Sequence, residues 1–174
     1  MMKIYDLLVI GGGISSCTLI SCLIEKGFKG NIAILETGRG LGGRYSSRIR
    51  NDDKSWILNH GAPNFNIINQ SENKDLDDFI SKLLHLNIIE NDDSLFFEIK
   101  ENLRFNSAIN NIFYEGDIYR SKGTMNTLSR KILDLNTTNN KKIDLFFQTT
   151  IKKLVYDKKW TISSTNGTVF CSNY

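Results

Sequence analysis

Three consecutive glycines near the N-terminus provide bare backbone at a position suited to binding an anion. Residues 11–13 separate an apolar, strand-like segment (residues 7–10) from a helix-like segment that begins at Ile14. A strand, a glycine turn and a helix in that order direct free N–H groups and the positive end of the helix dipole at a phosphate. Ser16 stands where the pattern G-x-G-x-x-G has its third glycine. The residues predicted to border the phosphates are Gly11, Gly13, Ile14, Ser15 and Ser16.

An acidic residue lies where the second strand of such a unit ends. Glu36 closes the apolar segment 31–36 and comes 25 positions after Gly11, against a usual spacing of about 20 residues. A carboxylate there can accept hydrogen bonds from both ribose hydroxyls of an adenosine, and it would repel a 2′-phosphate. These residues therefore predict NAD or FAD as the cofactor.

A second glycine-rich segment adds two guanidinium groups. Residues 37–44 read TGRGLGGR, and an NAD-binding domain does not need such a segment. Arg39 and Arg44 facing a diphosphate would form bidentate, charge-assisted hydrogen bonds, whereas the alternative is a solvated basic loop. Thr37 and Gly43 are the other candidate cofactor-binding residues of this segment.

The composition is that of a globular protein with no marked bias in charge. The chain has 174 residues, of which 40% are hydrophobic and 24% charged, and its net charge is +3. No basic cluster interleaved with aromatic residues occurs, so neither a nucleic acid nor a membrane is a predicted partner. The cysteines are three in number and form no C-x-x-C pair, which predicts reduced thiols, no metal site and a cytoplasmic location.

Hydrophobic periodicity predicts an α/β chain that begins with a β-α-β unit. The predicted strands are residues 3–10, 31–36, 143–148, 151–156, 160–164 and 168–172. The predicted helices are residues 14–26, 75–86 and 124–135. We expect Thr124 to cap the last helix, and the pair Asn166-Gly167 to form a hairpin turn because both residues tolerate positive φ.

Several of these segments together resemble a known family. GGGISS, then Glu36, then GRGLGGR resemble the FAD-binding start of the flavin amine oxidase superfamily. The branch with the greatest likeness is the renalase-like FAD-dependent oxidoreductases, whose pattern continues to H-G-A, here within NHGAPNF at residues 59–65. Downstream, SKGTMNTLSRKI (residues 121–132) and TTIKKLVYDKKWTISSTNG (residues 149–167) resemble later segments of the same family.

The resemblance implies a fold and a division into domains. The expected fold is α/β, with a Rossmann-like FAD-binding domain of the GR2 or amine-oxidase type and a partial, inserted α+β substrate domain. Residues 1–64 and 143–174 would form the FAD-binding domain, discontinuous and incomplete, and residues 65–142 would form part of the substrate or cap domain.

The resemblance also implies the roles of individual residues. It places the glycine run beside the FAD pyrophosphate, Glu36 at the adenosine ribose, and Arg39, Gly43 and Arg44 along the pyrophosphate and the path to the flavin. The residues that it adds to the FAD site are His60, Gly61, Ala62 and Ile151, the last as a backbone partner of adenine. No catalytic side chain is assigned.

The implied reaction is hydride transfer from an amine or a reduced nicotinamide-type compound to the flavin, with oxygen as the acceptor. Members of the family are about twice as long as this chain, so we expect an incomplete FAD site and weak or absent turnover from residues 1–174 alone. A fragment, a short form that associates with itself or with a partner, and a decayed remnant all fit this length. Two alternatives remain open: an NAD-binding dehydrogenase-type domain and a non-catalytic dinucleotide-binding module.

Overall fold

The computed structural model of the chain describes residues 3–50, 52, 56–68, 72–92, 98–99, 105–106, 116–137 and 143–174. In chain order the strands are β1 (Ile4–Tyr5), β2 (Leu7–Ile10), β3 (Ile32–Leu35), β4 (Arg48–Ile49), β5 (Ile57–Leu58), β6 (Phe65–Ile67), β7 (Ile89–Asn91), β8 (Glu98–Ile99), β9 (Phe105–Asn106), β10 (Asp117–Ser121), β11 (Ile143–Phe146), β12 (Ile151–Asp157), β13 (Lys159–Ser164) and β14 (Val169–Ser172). The helices are α1 (Ile14–Glu25), α2 (Lys74–His85) and α3 (Asn126–Asp134). The predicted middle region, residues 65–142, is thus described only in part.

A parallel sheet in the order β11-β3-β2 carries the N-terminal β-α-β unit. The central strand β3 is buried at all four residues, as expected for a parallel strand covered on both faces. On one face Ile32 and Ile34 pack with Cys17 and Ile20 of α1. The predicted strand-helix-strand order is confirmed, and it places the start of α1 beside the carboxyl ends of β2 and β3.

The second face of the parallel sheet is covered by an antiparallel one. Strands β12, β13 and β14 form a meander, and β1 joins its far edge in parallel with β14. Ala33 and Leu35 of β3 pack there against Ile162 and Phe170. The two ends of the chain therefore build a three-layer unit of helices, parallel sheet and antiparallel sheet.

The predicted strand over residues 3–10 is wrong in one respect, because the structure divides it at Asp6 between the two sheets. The carboxylate of Asp6 accepts a hydrogen bond from the Asn31 backbone N–H at 2.7 Å. The N–H groups of both Asp6 and Leu7 donate to the Asn31 carbonyl, at 3.0 and 3.2 Å. The backbone bends around this contact, so β1 leaves the parallel sheet and pairs with β14.

The predicted hairpin at Asn166-Gly167 is confirmed, but only one of its residues has positive φ. Gly167 has φ 85°, whereas Asn166 acts through its side chain, whose oxygen accepts from the Thr168 N–H at 3.1 Å. The turn between β13 and β14 is thus closed by an Asx-type contact as well as by glycine.

Helices α2 and α3 pack with the sheet β6-β10-β7 around one apolar core. The side chain of Asn73 caps α2 by accepting from the Leu76 N–H at 3.1 Å. The predicted cap of α3 is wrong: the Thr124 hydroxyl instead donates to the Asn126 side-chain oxygen at 2.6 Å, and α3 has no cap from its own flanking side chain. None of the helices in the described part of the chain is long and apolar enough to cross a membrane.

Candidate functional site

A cavity of about 550 Å³ opens at the carboxyl end of the parallel sheet. Two segments form it: residues 11–13, here called the glycine loop, and residues 37–44, here called the arginine loop. The Gly42 N–H donates to the Gly12 carbonyl at 2.9 Å, and Gly42 and Gly13 form a parallel β-bridge. The residues that line this cavity, called the loop cavity below, are Gly11, Gly13, Ile14, Ser15, Ser16, Gly42, Gly43, Arg44, Tyr45 and Ala62.

The three residues of the glycine loop differ in what requires glycine. Gly11 has φ +93°, which favours glycine over residues with a Cβ. A Cβ on Gly12 would lie 2.5 Å from Leu41 Cδ2 and 3.2 Å from Glu36 Oε2, so these side chains would have to shift to admit it. A Cβ on Gly13 would meet nothing within 4 Å. Gly13 lines the loop cavity, so the absence of a side chain at this position leaves space for a ligand there.

The N-terminus of α1 faces the loop cavity with its backbone donors free. The Cys17 N–H donates to the Gly13 carbonyl at 3.1 Å, which leaves the N–H groups of residues 14–16 without an intrahelical acceptor. Gly13 at the cap position has no side chain, and the first turn contains no acidic residue. The positive end of the helix dipole is therefore uncompensated by the helix itself and is suited to a phosphate.

Glu36 lies behind the glycine loop, at the carboxyl end of β3, and does not itself line the loop cavity. Its two carboxylate oxygens accept hydrogen bonds from the Gly12 N–H at 2.6 Å and the Gly38 N–H at 2.5 Å. One side chain thus ties the glycine loop to the arginine loop. Each oxygen retains a second lone pair, so the carboxylate keeps capacity to accept from a ribose hydroxyl.

The structure brings one of the two predicted arginines to the loop cavity. Arg44 belongs to a 3₁₀ turn over Gly43–Tyr45 and lines the cavity. No carboxylate among the described residues forms an ion pair with it, so its guanidinium is available to an anionic ligand. Arg39 and Thr37 are exposed and lie outside the cavity lining.

The segment around His60 contributes backbone to one wall of the loop cavity. The Ala62 N–H donates to the Arg44 carbonyl at 2.8 Å, and the Gly61 N–H donates to the Ser46 carbonyl at 3.1 Å. A Cβ on Gly61 would lie 2.1 Å from the Arg44 oxygen. Glycine is therefore needed here for close backbone packing. Ala62 lines the cavity, whereas His60 is exposed and does not.

The last predicted site residue lies at the start of β12, away from the loop cavity. Ile151 pairs with Ser164 of β13 and packs against the core shared by the two sheets, which includes Leu35. Its side chain is thus part of the core, and the predicted backbone contact with adenine stays a prediction.

Tyr45 lines the loop cavity although sequence reasoning did not single it out. Its ring is half-buried and contacts that of Phe65, with the ring centroids 6.2 Å apart. Burial raises the pKa of the Tyr45 hydroxyl, and the positive charge of Arg44 opposes part of that rise. The only signal in the sequence was an aromatic residue directly after the second arginine.

Asn59 and Ser47 were also missed, and they connect α3 to the wall of the site. The Asn59 side-chain oxygen accepts from the Ser47 hydroxyl at 2.6 Å and from the Met125 N–H at 3.4 Å. The Ser47 hydroxyl oxygen accepts in turn from the Asn126 N–H at 3.2 Å. These contacts cap α3 from outside and hold it against Gly42, whose added Cβ would lie 3.3 Å from Asn126 Cβ.

Comparison with known proteins identifies the N-terminal part of the chain by fold. Residues 9–83 match the family of NAD(P)-binding Rossmann-like domains. The match begins in β2, includes the glycine loop, Glu36 and the arginine loop, and continues into α2. No curated protein matches the chain.

Solved structures match nearly the whole chain at low sequence identity. A putrescine oxidase bound to putrescine is 10% identical with a TM-score of 0.63, and the match covers 99% of this chain and 57% of that one. A protein named as a protoporphyrinogen oxidase from Exiguobacterium sp. 255-15 is 12% identical with a TM-score of 0.62, covering 100% and 59%. The tetracycline destructase Tet(51) is 16% identical with a TM-score of 0.59, covering 99% and 38%.

These comparisons and the sheet topology show the predicted fold class. The chain is an α/β protein with a Rossmann-like dinucleotide-binding domain, and its fold is shared with oxidases. It spans between 38% and 59% of the length of the three solved structures described above.

Proposed function

We propose that this chain is the FAD-binding part of an oxidoreductase of the amine-oxidase type. Hydride would pass from an amine or a reduced nicotinamide-type compound, in the manner of the renalase-like branch, with oxygen as the acceptor. Residues 1–64 and 143–174 form the FAD-binding domain in this proposal, and residues 65–142 form part of the substrate domain. The protein acts in the cytoplasm, on a small molecule.

The loop cavity is the observation that supports this proposal most strongly. It combines three features suited to a diphosphate: the bare backbone of Gly13, the free N–H groups at the start of α1, and the guanidinium of Arg44. The cavity has room for the diphosphate bridge, and Ser16 is one of the residues that line it. The residues present therefore fit a dinucleotide.

The division of labour in the proposed reaction follows from these residues. Bound FAD supplies hydride acceptance, a chemistry that no protein side chain provides. Gly13 and the α1 N-terminus hold the diphosphate, Arg44 neutralises its charge, and Glu36 binds the adenosine ribose while keeping the two loops together. These interactions position the cofactor. The residues that receive the substrate are to be sought beyond the loop cavity.

FAD is preferred to NAD because of the arginine loop. Binding of NAD with its diphosphate at the α1 N-terminus would account for the glycine loop and Glu36. It would leave the second glycine run and Arg44 without a role. The contact between Gly42 and the glycine loop brings that second run to the same cavity, where both segments can bind one long cofactor.

The proposal is tested by measuring cofactor binding directly. Purified protein is titrated with FAD, NAD and ADP by isothermal calorimetry, and its visible spectrum is recorded for bound flavin. We expect FAD to bind and to raise the thermal midpoint. At a concentration of FAD about one hundred times its Kd, ligand linkage adds about 2.7 kcal/mol to the free energy of unfolding.

Arg44→Ala should weaken FAD binding by about tenfold or more. Arg39→Ala, which lies outside the cavity, is the matched control and should change FAD affinity little.

A second candidate is an NAD-binding domain, which the matched family favours by its description. Saturable binding of NAD or NADH together with no binding of FAD would establish this candidate in place of the first. A non-catalytic dinucleotide-binding module predicts no turnover, and weak or absent turnover is also what we expect of residues 1–174 alone. Cofactor binding is therefore the measurement that decides between the candidates.

A further inference from the structure

We propose that Tyr45 contacts the half of the dinucleotide that lies beyond the diphosphate, on the side away from adenosine, and so positions its ring. This inference rests on the proposed function and assigns a residue that the glycine and arginine motifs do not contain. The contact with Tyr45 would favour a nucleotide that has a second ring, such as FAD, over one that ends at the diphosphate, such as ADP.

The two sides of the loop cavity have different neighbours. Glu36, the residue suited to the adenosine ribose, is anchored to the end of β11, since its N–H donates to the Phe146 carbonyl and its carbonyl accepts from Thr149, both at 2.9 Å. Tyr45 instead packs with Phe65 against the core formed by α2, α3 and the sheet β6-β10-β7. With the diphosphate site at the start of α1 between them, Tyr45 borders the other half of the ligand.

The position of the Tyr45 side chain is set by contacts on several sides. Its N–H donates to the Gly42 carbonyl at 3.1 Å, and its two neighbours Arg44 and Ser46 are hydrogen-bonded to residues 61–62. Behind it, Phe65 also contacts Tyr119, with the ring centroids 5.8 Å apart. Phe65 and Tyr119 are direct partners in the register of β6 and β10. A chain of three aromatic rings therefore runs from the loop cavity into the middle region of the protein.

The side chain offers two kinds of contact to a ligand. One is the aromatic surface, which favours a flat, conjugated ring. The other is the hydroxyl, for which the described residues provide no hydrogen-bond partner and which remains a protonated donor at neutral pH. A ligand that carries a planar ring beyond its diphosphate can reach both contacts, whereas ADP ends at the diphosphate.

The experiment compares affinities for FAD and ADP in three variants. Tyr45→Leu removes the ring, Tyr45→Phe keeps the ring without the hydroxyl, and Phe65→Leu is a matched control that shortens the same aromatic chain outside the cavity lining. We expect Tyr45→Leu to weaken FAD by about tenfold while ADP affinity changes less than about twofold. We also expect brighter fluorescence from flavin bound to Tyr45→Leu, because contact with a tyrosine ring quenches flavin emission. Phe65→Leu should bind FAD within about threefold of the parent, and Tyr45→Phe, which loses only the hydroxyl contact, should lie between the parent and Tyr45→Leu.

Each outcome bears on one of the two proposals. If the parent protein binds no FAD, the proposed function fails and this inference fails with it. If the parent binds FAD but Tyr45→Leu leaves FAD affinity and flavin fluorescence unchanged, only this inference fails. Equal losses of FAD and ADP affinity in Tyr45→Leu would also contradict the inference about Tyr45. Equal losses of FAD affinity in Tyr45→Leu and Phe65→Leu would do the same, because both results would mean that Tyr45 has only a structural role.

Discussion

At the scale of single residues, identical glycines of one motif have different physical roles. Gly12 is closely packed against Leu41 and Glu36, and Gly13 faces open space. The motif alone assigns the closest approach to the phosphates to Gly13 but gives no role to Gly12. We therefore expect Gly12 to matter for stability and Gly13 for binding.

Substitution of Gly13 by alanine should reduce nucleotide affinity without greatly affecting the fold. The new Cβ meets no protein atom, and the change at a helix cap costs less than about 1 kcal/mol. The methyl group narrows the phosphate site, so we expect ADP and FAD to bind at least about tenfold more weakly by calorimetry. The comparison variant is Gly12→Ala, which should lower the free energy of unfolding by about 1–3 kcal/mol. Unchanged affinity in Gly13→Ala would argue against the phosphate site.

Substitution of Glu36 by glutamine should destabilise the protein even without ligand. The carboxylate accepts one backbone N–H at each oxygen, and an amide presents an acceptor at only one of its two ends. The N–H of Gly12 or Gly38 is then left unpaired, which costs about 1–3 kcal/mol, measured by urea unfolding. The matched control is Glu25→Gln, whose carboxylate pairs with Lys82 at the surface and where the expected loss is about 0–1 kcal/mol.

At the scale of elements, α3 depends on a distant loop for the capping of its N-terminus. Ser47 accepts the Asn126 N–H, which a Thr124 cap could have satisfied, and Asn59 accepts the Met125 N–H. The helix is amphipathic and forms for the predicted reason, but its first residues are fixed by the wall of the site. Folding of α3 is thereby coupled to the arginine loop and to the segment that contains Gly61.

Asn59 offers a test of this external cap. Asn59→Ala removes the acceptor shared by Ser47 and Met125, and we expect the free energy of unfolding to fall by about 0.5–2 kcal/mol. Asn59→Asp keeps a side-chain oxygen in place and should retain most of that stability. Urea denaturation of both variants distinguishes them. Equal losses would mean that the amide group, and not the acceptor, is what the structure needs.

At the scale of the whole molecule, the two ends of the chain build the three-layer unit, and a small apolar recess remains at the edge of β2. This cavity of about 170 Å³ is lined by residues of β2, β12 and β13 together with Tyr174, and Trp160 in its lining is 39% exposed. The Leu8 N–H donates to the Tyr174 carbonyl at 2.9 Å along the edge of β2. An exposed apolar recess of this kind is compatible with self-association, which stays a prediction. Sedimentation velocity at two protein concentrations checks it.

Stability should decrease in alkaline solution because the protein buries groups that then resist ionisation. Burial raises the pKa of Cys17 from 9.0 to about 12, and burial together with the hydrogen bond to Asp144 raises that of Tyr5 from 10.0 to about 12. Both groups ionise more readily in the unfolded chain, so their contribution to stability is complete below about pH 9 and is lost as pH rises from there to 12. Urea unfolding at pH 8, 10 and 11 measures this decline.

Tyr5→Phe should make the alkaline decline above pH 10 shallower without abolishing it, since Tyr45, whose pKa burial also raises, remains in the variant. The decrease in the free energy of unfolding between pH 9 and 10 comes from Cys17 and should remain in the variant. The same slope above pH 10 in both proteins would show that Tyr5 does not contribute.

The fold class and the binding segments could be predicted from the sequence because they depend on neighbours along the chain. Periodicity determined α1 and β3, and the local order of strand, glycines and helix determined that Gly13 and the start of α1 face one cavity. Arg44 was found for the same reason, since its motif is local. These features need only a few consecutive residues to specify them.

The remaining features depend on contacts between residues far apart in the chain, which local patterns do not encode. Glu36 reaches Gly12 across 24 positions and Asn59 reaches Met125 across 66, and the close approach of Gly61 to Arg44 exists only once two loops are folded together. Composition and spacing predicted the kind of ligand. Only the packing of distant segments determined which side chains support the site, which of the two arginines borders it, and that Tyr45 forms part of its wall.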